Sequence, residues 1–309
     1  MPETRTDILG LGVSTIDDLL MVRHFPRRNE KQQIIARTRQ CGGLTGTALV
    51  AAARMGCRCS YAIALGEGEL SAFLRRELRR EGIELLERAD MPEAEPYHSR
   101  IIIEEGTGER TVFWDNSLSR PPLIGDKEMR LAREAGCLFV DHIFARDLLD
   151  IVREARRCGT PVVGDFERTT ECSSVLMDLT DHIVLPIGYA RQLMGEAITP
   201  EAAVRKLIRQ PGRALACVTN GVHGAWYALG DAPENILHQP IFPMKNIVDS
   251  TGCGDVFHGV YAAGLVMGKS PAERIRHAAA AAALKTQKAG AQAGAPTLAE
   301  LDAFLSSAV

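Results

Sequence analysis

The sequence lacks both a long apolar run and a large surplus of charge. Its longest apolar run, residues 278–284, has far fewer than the roughly 20 residues that a membrane-spanning helix requires. Residues 1–7 are polar and carry no hydrophobic signal region. The formal net charge of the 309 residues is −3, which does not favour a nucleic-acid partner. We therefore expect a cytoplasmic protein that binds neither membranes nor nucleic acids.

Sequence motifs for several common chemistries are also missing. The eight cysteines are scattered, and the one close pair, Cys57 and Cys59, has no second His/Cys cluster to complete a metal site. Gly10 and Gly12 lack the third glycine of a dinucleotide-binding fingerprint, and no G-x-S-x-G hydrolase motif occurs. The ligand spacing of a zinc site is also missing around four histidines: His24, His98, His142 and His258.

Segments with strand and helix patterns alternate along most of the chain. This alternation predicts an α/β fold in which a mostly parallel sheet is covered by helices on both faces. Right-handed crossovers would align the carboxyl ends of the strands along one edge, where ligands bind in open α/β sheets. The predicted strands are 7–14, 58–65, 137–141, 161–165, 182–185 and 214–219, and the predicted helices are 42–55, 69–82, 145–157, 171–179, 188–195 and 199–209.

Two regions interrupt this alternation and predict a separate small sheet. Residues 99–104 and 109–114 are strand-like and are joined by Gly106-Thr107-Gly108, a plausible hairpin turn. Residues 17–23 and 32–38 add two further extended segments. We expect one domain over residues 1–309, with a small antiparallel lid built from strands within 15–40 and 97–115 that covers a cleft.

The most informative segment, residues 247–265, has the sequence IVDSTGCGDVFHGVYAAGL. Its first two residues are β-branched and predict the end of a strand, and a helix pattern follows the glycines. Glycines allow a tight turn and a close approach of the backbone to a ligand. The unpaired amides at the start of the helix, reinforced by the helix dipole, would bind a phosphate oxygen. These amides belong to residues 252–255, and those of Gly252, Cys253 and Gly254 would hold the phosphate.

Asp255 stands on the first turn of this predicted helix, next to the anion site. It is placed to accept a proton from a substrate hydroxyl aimed at the phosphate. The helix N-terminus should keep the pKa of Asp255 low, but phosphoryl transfer chiefly needs the nucleophile to be oriented. An Asp at this position is also a common helix cap, so the four residues from Gly252 to Asp255 leave both roles open.

The longer string Asp249-Ser-Thr-Gly-Cys-Gly-Asp-Val-Phe257 resembles the C-terminal signature of the ribokinase-like, or PfkB, carbohydrate kinase family. The likeness extends over nearly the whole chain. Two strings, 255–259 and 283–286, look most like the sulfofructose-kinase-like branch, and ketohexokinase-like members are also similar. The other matches, in family order, are Asp17, Gly42-Gly43, Gly108-Glu109-Arg110, Val218-Thr219-Asn220-Gly221 with Gly224, and the loop Gly290 to Pro296.

The resemblance implies a three-layer α/β/α domain and a β-sheet lid that often forms a homodimer interface. It implies ATP near Thr219, Gly221 and Gly224, with the loop around Gly290 beside the adenine. Asp255 would be the catalytic base. The residues whose backbone would form the anion hole are Gly252, Cys253 and Gly254.

The resemblance also implies a sugar-like substrate that is bound by Asp17 and by the segment that begins at Gly42-Gly43. Many members carry two asparagines where this chain has Leu44 and Thr47, so a ribose or fructose pose cannot be carried over. Lys31 is placed to meet an anionic substrate group. The expected substrate-binding residues are Asp17, Gly42, Gly43, Thr47, Lys31 and Arg110.

Two ions follow from the same resemblance. Asp249 lies where several members bind a monovalent cation such as K⁺. Many members also carry N-x-x-E near a Mg²⁺ site, but residues 187–190 of this chain read Ile-Gly-Tyr-Ala. Magnesium would therefore be held by the phosphates of ATP, by water and by other groups.

Several alternatives remain open at this stage. A nucleoside kinase would need an apolar slot for a base, for which Phe25, Phe113 and Trp114 are candidates. A non-catalytic sugar sensor would have no need of Asp255. Cys253 could have a depressed pKa at the helix N-terminus, or could simply fill the small slot. His258 is expected to face the core rather than the nucleotide.

Overall fold

The computed structural model describes residues 5–87, 90–107 and 109–307. In chain order the strands are β1 (Ile8–Leu11), β2 (Thr15–Val22), β3 (Ala36–Gly42), β4 (Cys59–Ala62), β5 (Glu84–Leu86), β6 (Tyr97–Glu104), β7 (Arg110–Asp115), β8 (Cys137–Asp141), β9 (Val162–Asp165), β10 (His182–Pro186), β11 (Leu215–Thr219), β12 (Ala225–Leu229) and β13 (Ala232–Gln239). The helices are α1 (Leu44–Arg54), α2 (Glu69–Arg80), α3 (Asp126–Glu134), α4 (Ala145–Arg157), α5 (Ser173–Asp178), α6 (Ile187–Met194), α7 (Pro200–Leu207), α8 (Cys253–Val266), α9 (Pro271–Lys285), α10 (Ala291–Gly294) and α11 (Leu298–Ser307).

The large sheet confirms the predicted mostly parallel arrangement. Within the described residues it has nine strands in the order β13-β12-β11-β10-β9-β8-β1-β4-β5. The strands from β11 to β5 pair in parallel, whereas β12 and β13 are added antiparallel at one edge. The sequence analysis did not predict β12 and β13. β12 is a short apolar run that the analysis passed over, whereas β13 mixes polar and apolar residues and so lacks the pattern of a strand buried on both faces.

Helices cover both faces of the large sheet, which gives the predicted three-layer α/β/α fold. Successive side chains of a strand point to opposite faces, so β8 contributes to two cores. Phe139 belongs to the core that contains Leu49 of α1 and Tyr261 of α8. Leu138 belongs to the opposite core, together with Ile151 of α4. Within the described residues, no helix is long and apolar enough to cross a membrane.

The second sheet has the strand order β3-β2-β6-β7 within the described residues. The prediction of a wholly antiparallel sheet is wrong, because β2 and β6 pair in parallel, from Thr15↔Tyr97 to Val22↔Glu104. The reason is that β2 and β6 follow β1 and β5, two parallel strands of the large sheet that end at the same edge. Gly108, assigned to the β6–β7 turn and to a family motif, lies outside the described residues.

Two further segments differ from the prediction. The strand predicted at 32–38 lies later, at Ala36–Gly42, where its pairing with β2 runs from Ala36↔Met21 to Gly42↔Thr15. Lys31 therefore lies in the connection before β3, where it is exposed. Ile247 and Val248 do not end a strand: both are more than 60% exposed, and the amide of Val248 donates to the carbonyl of Thr286 at 2.7 Å.

Helix α8 is enclosed by the fold, and this enclosure fixes the position of its first turn. Its residues from Val256 to Gly264 are all buried. A Cβ atom at Gly259 would overlap the backbone of Ala48, so α1 and α8 pack backbone against backbone at this point. Near the start of α8, the Nδ1 atom of His258 is 3.3 Å from a carboxylate oxygen of Asp165. Asp165 is the last residue of β9, so α8 begins at the carboxyl edge of the large sheet.

Candidate active site

The turn that leads into α8 presents free backbone amides, as the glycine pattern predicts. Gly252 has a φ of 78°, in the left-handed region that favours glycine. A Cβ atom there would lie 2.6 Å from the Cβ of Ala291. The amide of Cys253 donates to the carbonyl of Ser250 at 3.3 Å. The amides of Gly252, Gly254 and Asp255 donate to no group among the described residues. They are therefore unpaired hydrogen-bond donors at the N-terminus of a helix.

A cavity of about 540 Å³ lies between the small sheet and this turn. Its lining includes Thr15, Leu44 and Tyr97. Asp255 and the turn before it also line this cavity. We call this space the acceptor cavity.

A second cavity of about 300 Å³ also borders the turn. It is lined by Thr219, Gly221 and Gly224, which follow or end β11, and by apolar side chains such as Phe242. We call it the nucleotide cavity, after the ATP site that the family resemblance implies at these residues. The residues that line both cavities are Ser250, Cys253 and Gly254, so the two spaces meet at the predicted anion hole.

Asp255 is half-buried at this junction, and the expectation of a low pKa is wrong. Burial of its carboxyl group raises the pKa well above the ordinary value, and the negative charges of Glu167, Asp141 and Asp17 raise it further. Lys285 acts in the opposite direction. Burial, together with the three neighbouring carboxylates, outweighs the effect of the helix N-terminus. A raised pKa makes Asp255 a better base than the sequence suggested.

Asp17 lies near the start of β2 and is buried. Its carboxylate accepts hydrogen bonds from Thr15 Oγ1 at 3.2 Å and from the side chain of Ser99, while burial raises its pKa. Gly42, the last residue of β3, is linked to α10, because its carbonyl accepts a hydrogen bond from Gln292 Nε2 at 3.1 Å. Gly43 lines the acceptor cavity.

The other predicted substrate-binding residues lie in three different environments. Arg110, the first residue of β7, donates to the hydroxyl of Thr251 at 2.8 Å and so reaches the turn itself. Thr47 is fully buried, and its Oγ1 atom has no hydrogen-bond partner among the described residues. Lys31 is exposed and is not among the residues that line either cavity.

The aromatic residues considered for a base slot lie elsewhere. Phe25, Phe113 and Trp114 are 40%, 56% and 59% exposed, and none of them is among the described residues that line a cavity. The guanidinium carbon of Arg168 lies 6.0 Å from the centre of the Trp114 ring. The structure therefore places these side chains on the small sheet and the surface.

Gly290 lies next to Asp249 rather than in the wall of the nucleotide cavity. Its amide donates to Asp249 Oδ2 at 2.9 Å, and the amide of Thr251 donates to Oδ1 at 2.9 Å. The ammonium of Lys285 is 3.2 Å from Oδ2. The carboxylate of Asp249 is thus already bonded on both oxygens, and no group of three or more His, Cys, Asp or Glu residues in the described chain is arranged to hold a metal ion.

Of the two alternatives for Cys253, the electrostatic surroundings favour a thiol that simply fills the small slot over one with a depressed pKa. Burial raises the pKa of its thiol to about 11, and Asp249 and Asp255 add to this effect, although Lys285 opposes it. Cys253 therefore fills the small slot as a protonated thiol. The expectation that His258 faces the core is confirmed: it is 4% exposed, and its ring nitrogens lie 2.8 Å from the carbonyl of Gly254 and 3.1 Å from that of Val184.

Some residues of the site were missed by the sequence analysis. His142, Glu167 and Arg168 line the acceptor cavity. The Nε2 atom of His142 is buried and makes no hydrogen bond among the described residues. Each of the three follows the acidic end of a parallel strand, Asp141 or Asp165, and this position at the ligand-binding edge was the available signal.

Comparison with known proteins decides the family. The family model described as "pfkB family carbohydrate kinase" matches residues 11–298. The chain belongs to the PfkB family. It is therefore a carbohydrate kinase, a phosphotransferase with an alcohol group as acceptor.

Individual proteins that are similar to this chain include ribokinases, and the solved structures among them show the same fold. The chain is 24% identical to a ribokinase of Arabidopsis thaliana over 301 residues, which cover 92% of this chain and 77% of that protein. Ribokinase from Thermotoga maritima has a similar structure, with a TM-score of 0.82, 24% identity and coverage of 97% and 99% of the two chains. The structure of Arabidopsis thaliana ribokinase complexed with ribose and ATP gives a TM-score of 0.85 at 21% identity, with coverage of 98% and 99%.

Proposed function

We propose that this PfkB protein transfers the γ-phosphoryl group of ATP to a hydroxyl of a sugar or sugar-like metabolite. The observation that carries the proposal is the junction of the two cavities at the start of α8. There the free amides of Gly252, Gly254 and Asp255 lie between a space suited to a nucleotide and a space that contains the carboxylate of Asp255.

The nucleotide cavity suits ATP by its shape and composition. Apolar residues such as Phe242, Ala279 and Ala283 would contact the adenine and ribose. The terminal phosphate would then reach the turn, where the amides and the helix dipole favour negative charge. The complex of a related ribokinase with ribose and ATP is consistent with this assignment.

The acceptor would lie against Asp17 and the glycine pair, with one hydroxyl directed at Asp255. Asp255 orients this hydroxyl and removes its proton as the bond to phosphorus forms. The amides of the turn stabilise the charge that gathers on the migrating phosphoryl group. Arg168 and the free Nε2 atom of His142 are further candidates to contact the acceptor.

Magnesium would enter this site with ATP rather than on a protein carboxylate cluster. The N-x-x-E pattern is missing, and the described residues hold no metal-binding group of three or more His, Cys, Asp or Glu side chains. When bound, Mg²⁺ would neutralise part of the charge on the phosphates.

The small sheet would act as a lid over the acceptor cavity, and its outer strand would form a homodimer interface. Every residue of β7 is exposed, including Val112, Phe113 and Trp114 at more than 50%. An exposed, apolar edge strand favours pairing with another strand, and a second copy of the same sheet offers one.

The test is ADP formation from Mg-ATP with a panel of ketoses, aldoses, sulfonated sugars and nucleosides. We expect one acceptor class to give ADP at a rate that depends on its concentration, and a phosphorylated product by mass spectrometry. A thermal-shift screen of the same panel would identify bound but unphosphorylated compounds. If an acceptor binds together with ATP and no product forms above the Asp255→Asn background, the sensor alternative would replace the proposal.

A further inference from the structure

Lys285, the last residue of α9, is a charged side chain with no exposure to solvent. Its Nζ atom donates to the backbone carbonyl of Asp249 at 2.8 Å and to that of Lys288 at 3.2 Å. It also lies 3.2 Å from the carboxylate oxygen Oδ2 of Asp249. The three N–H donors of the ammonium thus face three oxygen atoms.

These oxygens belong to the segments that shape the phosphate-binding turn. Asp249 begins the turn, and the amides of Val248 and Asp249 both donate to the carbonyl of Thr286, one residue after Lys285. A Cβ atom at Gly294 would lie 2.9 Å from Cε of Lys285, so α10 closes around the lysine stem. A buried ammonium is costly unless it is paired, and this one is held by a complete set of acceptors.

Two carbonyl oxygens and one carboxylate around a single positive charge form the same kind of environment that a monovalent cation requires. The sequence analysis expected an exchangeable cation at Asp249. The structure does not fit that expectation, because the ammonium of Lys285 already occupies the position beside Oδ2.

We infer that Lys285 supplies a built-in cation that positions the anion hole, so that the enzyme needs no exchangeable monovalent cation at Asp249. The inference rests on the proposed kinase function for its catalytic readout. The charge of Lys285 also affects the ionisation of the site. It lowers the pKa of both Asp255 and Cys253, whereas burial raises the pKa of both groups. Lys285 is a positioning residue, because it contacts the turn and not the reacting atoms.

The first experiment measures initial rates of the unmodified enzyme at constant ionic strength in K⁺, Na⁺, NH₄⁺ and tetramethylammonium salts. Tetramethylammonium is too large to enter a site of this kind. We expect the same kcat and KM in all four salts. Saturable activation by K⁺ would overturn the inference, whatever any variant does.

The second experiment removes the ammonium. In tetramethylammonium, Lys285→Ala should lose about 100-fold in kcat because the turn is no longer held in position, and KM for ATP should rise by a smaller factor because the same turn contacts the phosphate. Added K⁺, NH₄⁺ or methylammonium should restore kcat in a saturable way. Lys285→Met fills the space without a charge, so it should lose activity without being restored.

The matched control is Lys206→Ala, since Lys206 also stands in the last turn of a helix, α7, but is exposed. It should keep the full rate in every salt. Unaltered kcat in folded Lys285→Ala, or equal and unrestored losses in the Ala and Met variants, would overturn the inference, because neither result leaves a role for the charge.

The outcome can be separated from a failure of the proposed function. If no acceptor is phosphorylated, calorimetry of ATP binding in K⁺ and in tetramethylammonium still tests Lys285. Equal affinity in the two salts for the unmodified protein, with a cation-dependent affinity for Lys285→Ala, would support the inference. A cation-dependent affinity of the unmodified protein would overturn it.

Discussion

Arg110 on the small sheet donates a hydrogen bond to the hydroxyl of Thr251 at 2.8 Å, across 141 positions of sequence. The bond joins β7 to the turn that precedes α8. It therefore links the proposed lid to the proposed phosphate site.

Arg110→Ala should lower kcat/KM for the acceptor about tenfold, because a hydrogen bond from a charged donor contributes about 1.5 kcal/mol. Steady-state kinetics with the acceptor varied at saturating ATP would measure the loss. Arg37→Ala is the control, since Arg37 is an exposed arginine on β3 of the same sheet. Equal kinetics of the two variants would show that the bond does not contribute to closure.

Asp255→Asn should lower kcat by at least about 100-fold, because the base is lost while the shape of the site is kept. Affinity for ATP, measured by calorimetry, should change little. Asp147→Asn is the matched control, since Asp147 is also an aspartate in the first turn of a helix, α4, and is exposed. A comparable kcat in Asp255→Asn would assign the residue to helix capping alone.

The raised pKa of Asp255 predicts the acid side of the pH profile. The base must be deprotonated, so kcat/KM should rise with pH through the pKa of Asp255, at a pH above the ordinary aspartate value of 3.8. The same shift affects stability. A carboxyl group that binds its proton more tightly when folded destabilises the fold as pH rises through that pKa.

Thermal unfolding of Asp255→Asn provides the check on this second effect. At neutral pH the variant should be more stable than the unmodified protein, and the difference should shrink as the pH falls. A less stable variant at neutral pH would show that the buried carboxylate is better compensated than its surroundings suggest.

Gly252→Ala should weaken both the fold and catalysis. The left-handed φ of 78° costs an alanine about 1–2 kcal/mol, and its Cβ would also press on Ala291. Gly268→Ala is the matched control, because Gly268 has a φ of 72° after α8 and its Cβ would meet nothing within 4 Å. Urea unfolding should show a loss of stability in both variants, whereas only Gly252→Ala should lose kcat. Equal kcat in the two variants would contradict a catalytic role for the turn.

Alkylation should spare Cys253 near neutral pH, because a thiol with a pKa of about 11 is almost wholly protonated. Iodoacetamide should instead modify Cys158, which is exposed. Mass spectrometry of digested peptides would locate the label, and Cys158→Ser would serve as the control. Rapid labelling of Cys253 with loss of activity would contradict the raised pKa.

The strand and helix pattern could be predicted where the burial of an element follows one regular pattern along its whole length. The segments 137–141 and 145–157 were placed with the bounds that the structure has, because a fully apolar strand and an amphipathic helix have distinct patterns. The strand at Ala36–Gly42 was misplaced by four residues, because its partner β2, and not its own polar sequence, sets its position.

The electrostatics of the site could not be predicted in the same way. The pKa of Asp255 depends on Glu167, Asp141 and Asp17, which reach it from three other parts of the chain. The role of Lys285 was also hidden, since a lysine at the end of an alanine-rich helix has the pattern of an ordinary surface cap. The turn and its amides could be identified from the sequence, because the left-handed backbone at Gly252 is a requirement that the glycine itself reveals.

The backbone contact between Gly259 and Ala48 has a consequence for motion. Because the two backbones are in direct contact, a shift of α1 against α8 would cause steric overlap. We therefore expect the turn that is proposed to bind phosphate to keep its position relative to α1. If the four-stranded sheet acts as the proposed lid, closure around bound substrates would be a movement of that sheet relative to α1 and α8.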